Sequence, residues 1–209
     1  MGLSVLIADD HELFREGLRG LIVDALGADD VRQAASLDEA LEMLGEQSAP
    51  DLLILDLRMP GVSGAEAFAA LRDAFPATKI VVCSASEERA DILAALSGGV
   101  HGYVPKSLSA RNIEQALTDV LGGRIYAPSA LGQRAQAPLA DNRPPATSVE
   151  GLTSRQRDVL TELMKGQSSK QIARALEIAE GTVKIHLAAI YRAAGVRTRA
   201  EAIAKLSRQ

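Results

Sequence analysis

LILDLRMPGVSG, residues 53–64, is a strand-length apolar run that ends on one acid, Asp56, and passes into a stretch marked by Pro60, Gly61 and Gly64. With its neighbour in front, Leu52–Leu55 reads as a strand too apolar to be half exposed, so its sheet must be covered on both faces. Pro and Gly behind Asp56 permit a tight turn at the strand's carboxyl end. Working outward, Ser4–Ala8, Val31–Ala35, Lys79–Ser84 and Gly102–Pro105 read as further short strands. Between them Leu13, Phe14, Gly17, Leu18, Leu21, Ile22 and Ala25 recur at helical spacing, as do Leu37, Ala40, Leu41 and Leu44. Ser36 and Glu39 form a capping-box signal for the second helix. Helices near 64–75, 87–98 and 109–122 complete five β-α units. The fold class this predicts is α/β: a five-stranded doubly wound parallel sheet, followed by a small all-α domain. Ligands of such sheets bind at the carboxyl ends of the strands, beside a switch in strand order.

The chain has 209 residues, 47% of them hydrophobic and 24% charged, which excludes collagen-like, mucin-like and wholly disordered classes. No apolar run approaches the ~20 residues of a membrane-spanning helix. Asp9 and Asp10 interrupt the N-terminus before a signal-peptide core could form, so a cytoplasmic protein with no membrane partner is expected. Cys83 is the sole cysteine, and a buried inert thiol is expected there. The net charge of -4 divides unevenly: residues 1–123 carry -11, residues 124–150 carry +1 and residues 151–209 carry +6. Pro128, Pro138, Pro144 and Pro145 mark the middle stretch as a linker, with a helical fragment near Ser129–Gln136. The expected organisation is therefore a first domain over 1–123, a linker over 124–150 and a second domain over 151–209.

Asp9 and Asp10 end the first strand and Asp56 the third, so the sheet brings three carboxylates to one edge. Such a group repels itself unless a cation sits within it. Mg²⁺, which binds through few carboxylates plus a phosphate, suits the set best. Asp56 is then a nucleophile towards a phosphoryl group, with Lys106 after the fifth strand as a second cation and Ser84 at the end of the fourth as a hydroxyl donor. Any one strand-end acid or serine is ordinarily a solvated turn residue; five at the ends of four strands are not. Cys83, beside Ser84, alternates to the opposite face of its strand.

IADDH, LILDLRMPGVSG, VVCSAS and GYVPKS resemble the receiver domain of bacterial two-component response regulators over residues 3–122. The resemblance implies that Asp56 accepts phosphate from a sensor histidine kinase. It implies that Asp10, Asp56 and the backbone carbonyl of Arg58 hold Mg²⁺, with Asp9 acting through a metal-bound water. Ser84 and Tyr103 are similar to the switch pair of that family, in which the hydroxyl moves to the phosphoryl oxygen and the aromatic ring turns inward behind it.

Residues 151–209 read as four helices. Thr153 with Gln156 and Ser168 with Gln171 make capping boxes for helices Arg155–Lys165 and one ending at Leu176. A turn at Glu177–Glu180 leads to a third helix, Gly181–Ala194, stopped by Gly195; a last one covers Arg199–Ser207. Two short helices joined by a tight turn are a helix-turn-helix, whose second helix enters the DNA major groove. On it Val183, Leu187, Ile190 and Ala194 make an inward stripe, while Lys184, Ala188 and Arg192, with Ile185 beside them, line another face. An exposed Ile there could meet a thymine methyl. Ala202, Ile203 and Leu206 offer an apolar face for pairing or for core packing.

The run from Leu152 to Val196 resembles the LuxR-type helix-turn-helix, and its pairing with a receiver resembles the NarL/FixJ class. The resemblance implies that Lys184 and Ile185 approach bases and that Lys170, Thr182 and Arg192 contact phosphates of double-stranded DNA. Ala179 stands where the family usually has a capping Ser, a loss of ~1 kcal/mol in ordinary helices. The expected function is phosphorylation-dependent transcription regulation by a protein that dimerises when phosphorylated, with RNA polymerase a further partner. The opposite charges of the two domains suggest that the receiver masks the DNA-binding face, an effect that salt would weaken. An aspartyl-phosphate enzyme is the competing reading; it commonly needs an Asp two residues after the nucleophile, where this chain has Arg58. A receiver-like scaffold or small-molecule sensor working without phosphate is a third.

Overall fold

Five apolar runs pair in parallel in the computed structural model, which describes residues 2–46, 49–62, 64–128 and 151–207. The strands are β1 (Ser4–Ala8), β2 (Asp30–Ala34), β3 (Leu52–Asp56), β4 (Lys79–Ser84) and β5 (Gly102–Pro105), in the order β2-β1-β3-β4-β5. The order reverses between β1 and β3, so the crevice beyond their carboxyl ends lies between Asp9 and Asp56.

Side chains two apart share a face, and the sheet sorts its core accordingly. Leu6, Leu53, Leu55, Ile80 and Val82 pack towards α2 (Leu37–Glu46), α3 (Gly64–Ala74) and α4 (Arg89–Ser97). Val5, Ile7, Leu52, Ile54, Val81 and Cys83 pack on the other face, towards α1 (Glu12–Leu26) and α5 (Ala110–Leu121). Each fully buried Leu, Ile or Val contributes roughly 1.5–3 kcal/mol. β2, with a single paired edge and Asp30, Arg32 and Gln33 in its sequence, is half exposed.

Three local expectations need correction. Leu13 is 91% exposed and takes no part in the buried face of α1, because it lies on the side of the helix opposite Leu18 and Ile22. β2 is shifted one residue earlier, Asp30–Ala34 rather than Val31–Ala35. At the start of α2, Ser36 accepts from the Glu39 N–H at 3.2 Å, but the Glu39 carboxylate accepts from the Ala35 N–H at 2.7 Å instead of closing a box on Ser36.

The second core belongs to α6 (Ser154–Met164), α7 (Ser169–Leu176), α8 (Glu180–Ala194) and α9 (Arg199–Leu206), around Val159, Leu163, Ile172, Val183, Leu187 and Ile190. Both capping boxes form. Ala179 caps α8 without a side-chain bond, and Gly195 ends it in the left-handed conformation at φ 62°. Ala202 is buried in this core with Ile203 and Leu206 against it, so the apolar face of α9 is used for packing. Ser129–Gln136 and the rest of the linker to residue 150 lie outside the described residues. Its first residues are tied to the sheet: Tyr126 forms a parallel bridge with Gly102, and its carbonyl accepts from the Tyr103 N–H at 2.9 Å. No helix among the described residues is long and apolar enough to cross a membrane.

Two histidines make this fold acid-sensitive. Burial, then the charges of Arg72 and Lys79, push His101 down to about 4; burial, then Arg155, do the same to His186, whose ring nitrogens have no partner. A depressed histidine favours the fold above its unfolded pKa near 6.5 and loses that contribution as pH falls towards 4. The free energy of unfolding from denaturant curves is therefore expected to fall from pH 7 to pH 4.5, by up to ~2 kcal/mol per histidine. His186→Leu should flatten the profile; an unchanged slope would show that His186 titrates normally.

Candidate functional site

The acidic crevice assembles from three strand ends. Asp9 and Asp56 are buried, at 2% exposure each, whereas the Asp10 side chain is 40% exposed. Ligand atoms of Asp9, Asp10, His11 and Asp56 all lie within 4.8 Å of one another. Lys106, from the loop after β5, reaches Asp9 Oδ2 at 2.6 Å and Asp56 Oδ1 at 3.3 Å, with its ammonium 4.6 Å over the Phe14 ring. Burial works against the charge on Lys106, but the hydrogen bond to Asp9 and the charges of Asp56 and Asp9 outweigh it and hold the pKa above its ordinary value. Asp56 is also raised: burial and Asp9 oppose its ionisation more than Lys106 and the Arg58 backbone favour it. Its Oδ2 is buried without a hydrogen-bond partner. Two buried carboxylates facing one lysine leave negative charge uncompensated, and an orphaned carboxylate oxygen among acidic oxygen donors fits a hard divalent cation.

Ser84 is buried at the end of β4, and its Oγ accepts from the Ser86 N–H at 3.1 Å. Tyr103 is fully buried and donates from its hydroxyl to the Ser86 carbonyl at 2.7 Å. The ring that was expected to turn inward is thus already inside. Cys83 pairs in register with Asp56 but packs into the opposite core layer, and burial pushes its thiol up to about 12. Cys83→Ser is expected to leave phosphoryl acceptance within about twofold of the unsubstituted protein; its loss in a folded variant would assign the thiol a role.

The basic face of α8 is turned towards the acidic domain. Ile185 and Ala189 are buried in the core cluster of α2 and α3, with Ala188 packed against it. Lys184 Nζ lies 2.7 Å from Asp38 Oδ2, and Arg155 lies 3.2 Å from Glu66. Arg192 donates to the Ala74 carbonyl and stacks 4.7 Å from the Phe75 ring. Gly181 meets Gly61 so closely that a Cβ built on it would lie 1.7 Å from the Gly61 carbonyl oxygen. Ile185 is therefore not exposed: a branched apolar side chain on a polar helix face is more stable against α2 and α3 than in water. Thr182 is also buried, whereas Lys170 is exposed. Both ion pairs are substantially exposed and contribute ~0–1 kcal/mol each, against roughly 1.5–3 kcal/mol for Ile185. Apolar packing dominates the docked arrangement, so salt should weaken it only modestly.

Residues 5–118 match the family described as Response regulator receiver domain, and residues 150–206 match Bacterial regulatory proteins, luxR family. The chain is a LuxR-type two-component response regulator. The glycerol metabolism activator of Pseudomonas putida is 37% identical over 207 residues, 96% of this chain and 93% of the relative. The nitrate/nitrite response regulator NarL of Escherichia coli K12 is 36% identical over 202 residues, 95% and 92% of the two chains. A solved LuxR-family response regulator from Aurantimonas sp. SI85-9A1 is 32% identical with a TM-score of 0.57, covering 65% of this chain and 96% of that one.

The fold of this response regulator brings Asp9, Asp10, Asp56 and Lys106 together as the sequence led one to expect, with Ser84 and Tyr103 linked through Ser86. It adds groups that sequence reasoning passed over. His11, whose Nδ1 is 2.8 Å from Asp10 and 3.2 Å from Asp9, was visible as the last residue of IADDH. Phe14, under the lysine, read only as helix core. The Gly61–Gly181 approach depends on how two separately folded units meet and left no signal in either segment.

Proposed function

We propose that Asp56 of this transcriptional regulator takes a phosphoryl group from the phosphohistidine of a sensor kinase and that the change releases the docked C-terminal helices to bind DNA. The observation that carries this reading is a buried Asp56 with Oδ1 held by Lys106 and Oδ2 without a partner, at the switch point of the sheet. A carboxylate oxygen of Asp56 attacks phosphorus as the phosphorus–nitrogen bond to the kinase imidazole breaks, and Lys106 balances charge on the phosphoryl oxygens. Asp10, Asp56 and the Arg58 carbonyl would hold Mg²⁺, with Asp9 through water; when bound, it neutralises charge on the transferring oxygens. Ser84 supplies the hydroxyl that follows the phosphoryl group, and Tyr103 supports it from within the core. The functional division is a receiver over 1–123, a linker over 124–150 and a DNA-binding domain over 151–209.

In the docked arrangement Lys184, Ile185, Thr182 and Arg192 are engaged or buried, and only Lys170 of the five is open to DNA. Regulation follows from that: phosphorylation near the Gly61 loop displaces α8, and a homodimer then sets two recognition helices about one helical turn apart. The test is selection of duplexes from a random pool by the full chain treated with Mg²⁺ and acetyl phosphate. Paired half-sites are expected to be enriched, and an unenriched pool would reject the reading. On the selected duplex Lys184→Ala should cost ~1–3 kcal/mol if the lysine contacts a base edge. Undiminished binding would move that role to another residue.

A further inference from the structure

Between α2 of the receiver and the helices α7 to α9 lies a cleft of about 430 Å³, within the size range of small-molecule sites and at a domain interface, where such sites concentrate. Its apolar lining comes from both sides, Leu41 from the receiver and Leu187 and Tyr191 from the DNA-binding helices. Its charged lining is unequal: Lys184, Arg192, Arg197 and Arg199 against Asp38 and Glu42. Asp38 is committed to Lys184 at 2.7 Å. Arg192 is half-buried, and among the described residues it meets a carbonyl and an aromatic ring but no carboxylate within ion-pair distance. A guanidinium withdrawn from water without an anion is costly, and its planar fork suits an oxyanion.

We infer that this cleft binds a small amphipathic organic anion, an acid group on a compact apolar body, with the acid on Arg192 and the body on Leu41, Leu187 and Tyr191. Walls from both domains mean that the ligand fits only the docked arrangement. It holds the regulator off DNA, and by linkage DNA expels it. This second input rests on the reading that the docked state is the silent one. Gly45, on α2, also lines the cleft; a Cβ there meets nothing within 4 Å, so a large side chain can fill the space without disturbing the helix.

The probe is 8-anilinonaphthalene-1-sulfonate, an aromatic body with one anionic group, titrated into the unphosphorylated full chain. Saturable fluorescence enhancement is expected, with at least tenfold weaker binding of uncharged N-phenyl-1-naphthylamine and at least tenfold weaker sulfonate binding in Gly45→Phe. Labelling of Gly45→Phe by acetyl phosphate reports that the variant is folded. Equal affinity for the two probes, or undiminished affinity in folded Gly45→Phe, overturns the site. At ten times its Kd the sulfonate should weaken DNA binding by the unsubstituted chain about tenfold and leave Gly45→Phe unaffected. An unchanged DNA affinity despite a filled cleft overturns the coupling. A chain that never binds DNA rejects the function proposed above, while the two-probe comparison still decides the site.

Discussion

Asp56→Asn should take up no phosphoryl group from acetyl phosphate and Mg²⁺, a loss of at least a hundredfold on an intact-mass or radiolabel readout. The amide is nearly isosteric, so the turn at Pro60 and the pairing of Lys106 with Asp9 at 2.6 Å persist. It lacks the negative charge that makes a carboxylate oxygen nucleophilic, and no other acid in the crevice substitutes for it: Asp9 Oδ2 is committed to Lys106 and Oδ1 accepts from the His11 N–H, and Asp10 sits in the more exposed rim with His11. The variant should also melt no lower than the unsubstituted protein. Burial and Asp9 raise the Asp56 pKa, so its ionised form is disfavoured in the folded state, and a neutral side chain relieves that opposition. Retained labelling would place the acceptor elsewhere. A large drop in melting temperature would show that Lys106 needs Asp56 more than Asp9 repels it.

The sheet was legible because its strands are buried on both faces and read as continuous apolar runs, each ending where a chemically distinctive residue begins. Asp56 marks the end of β3 and Ser84 that of β4, which is why strand ends and crevice residues emerge from the same reading. α6 and α7 were equally legible, since Thr153/Gln156 and Ser168/Gln171 satisfy their own helix termini locally. Ile185 was not. Helical periodicity says that it shares the face of Lys184, but whether that face meets water, DNA or another domain depends on contacts across well over a hundred residues of chain. The anchor of Tyr103 was hidden for a related reason: the Ser86 carbonyl that accepts from its hydroxyl lies seventeen positions away, in the loop after β4. The -11 and +6 halves suggested that the receiver masks the DNA-binding face, and two ion pairs, Lys184–Asp38 and Arg155–Glu66, join the domains. Charge did not foretell that Ile185 and Ala189 would dominate the contact.

Those contacts define the second large effect, Gly181→Ala. A methyl at position 181 would stand 1.7 Å from the Gly61 carbonyl oxygen, and all three of its nearest heavy atoms belong to Gly61. Real Cβ atoms do not approach backbone so closely, so one of the two backbones must move. Gly61 is poorly placed to yield: it sits at φ 94° in the loop after Asp56, with Leu37 3.0 Å from where its own Cβ would be. Separation of α8 from the receiver is the remaining relief. Within its own domain the substitution is favourable, because Ala in a helix is better than Gly by up to ~1 kcal/mol. The docked state therefore loses at least the burial of Ile185, roughly 1.5–3 kcal/mol, and the fraction of chains free to bind DNA rises accordingly. Unphosphorylated Gly181→Ala should bind the selected duplex roughly ten- to a hundredfold more tightly than the unsubstituted protein. Its radius of gyration in small-angle scattering should increase. The double variant with Asp56→Asn should keep that affinity and no longer respond to acetyl phosphate, since release is then built into α8. If Gly181→Ala binds no better than the unsubstituted chain while its scattering shows separated domains, exposure of α8 is not what limits DNA binding, and dimerisation takes its place as the controlled step.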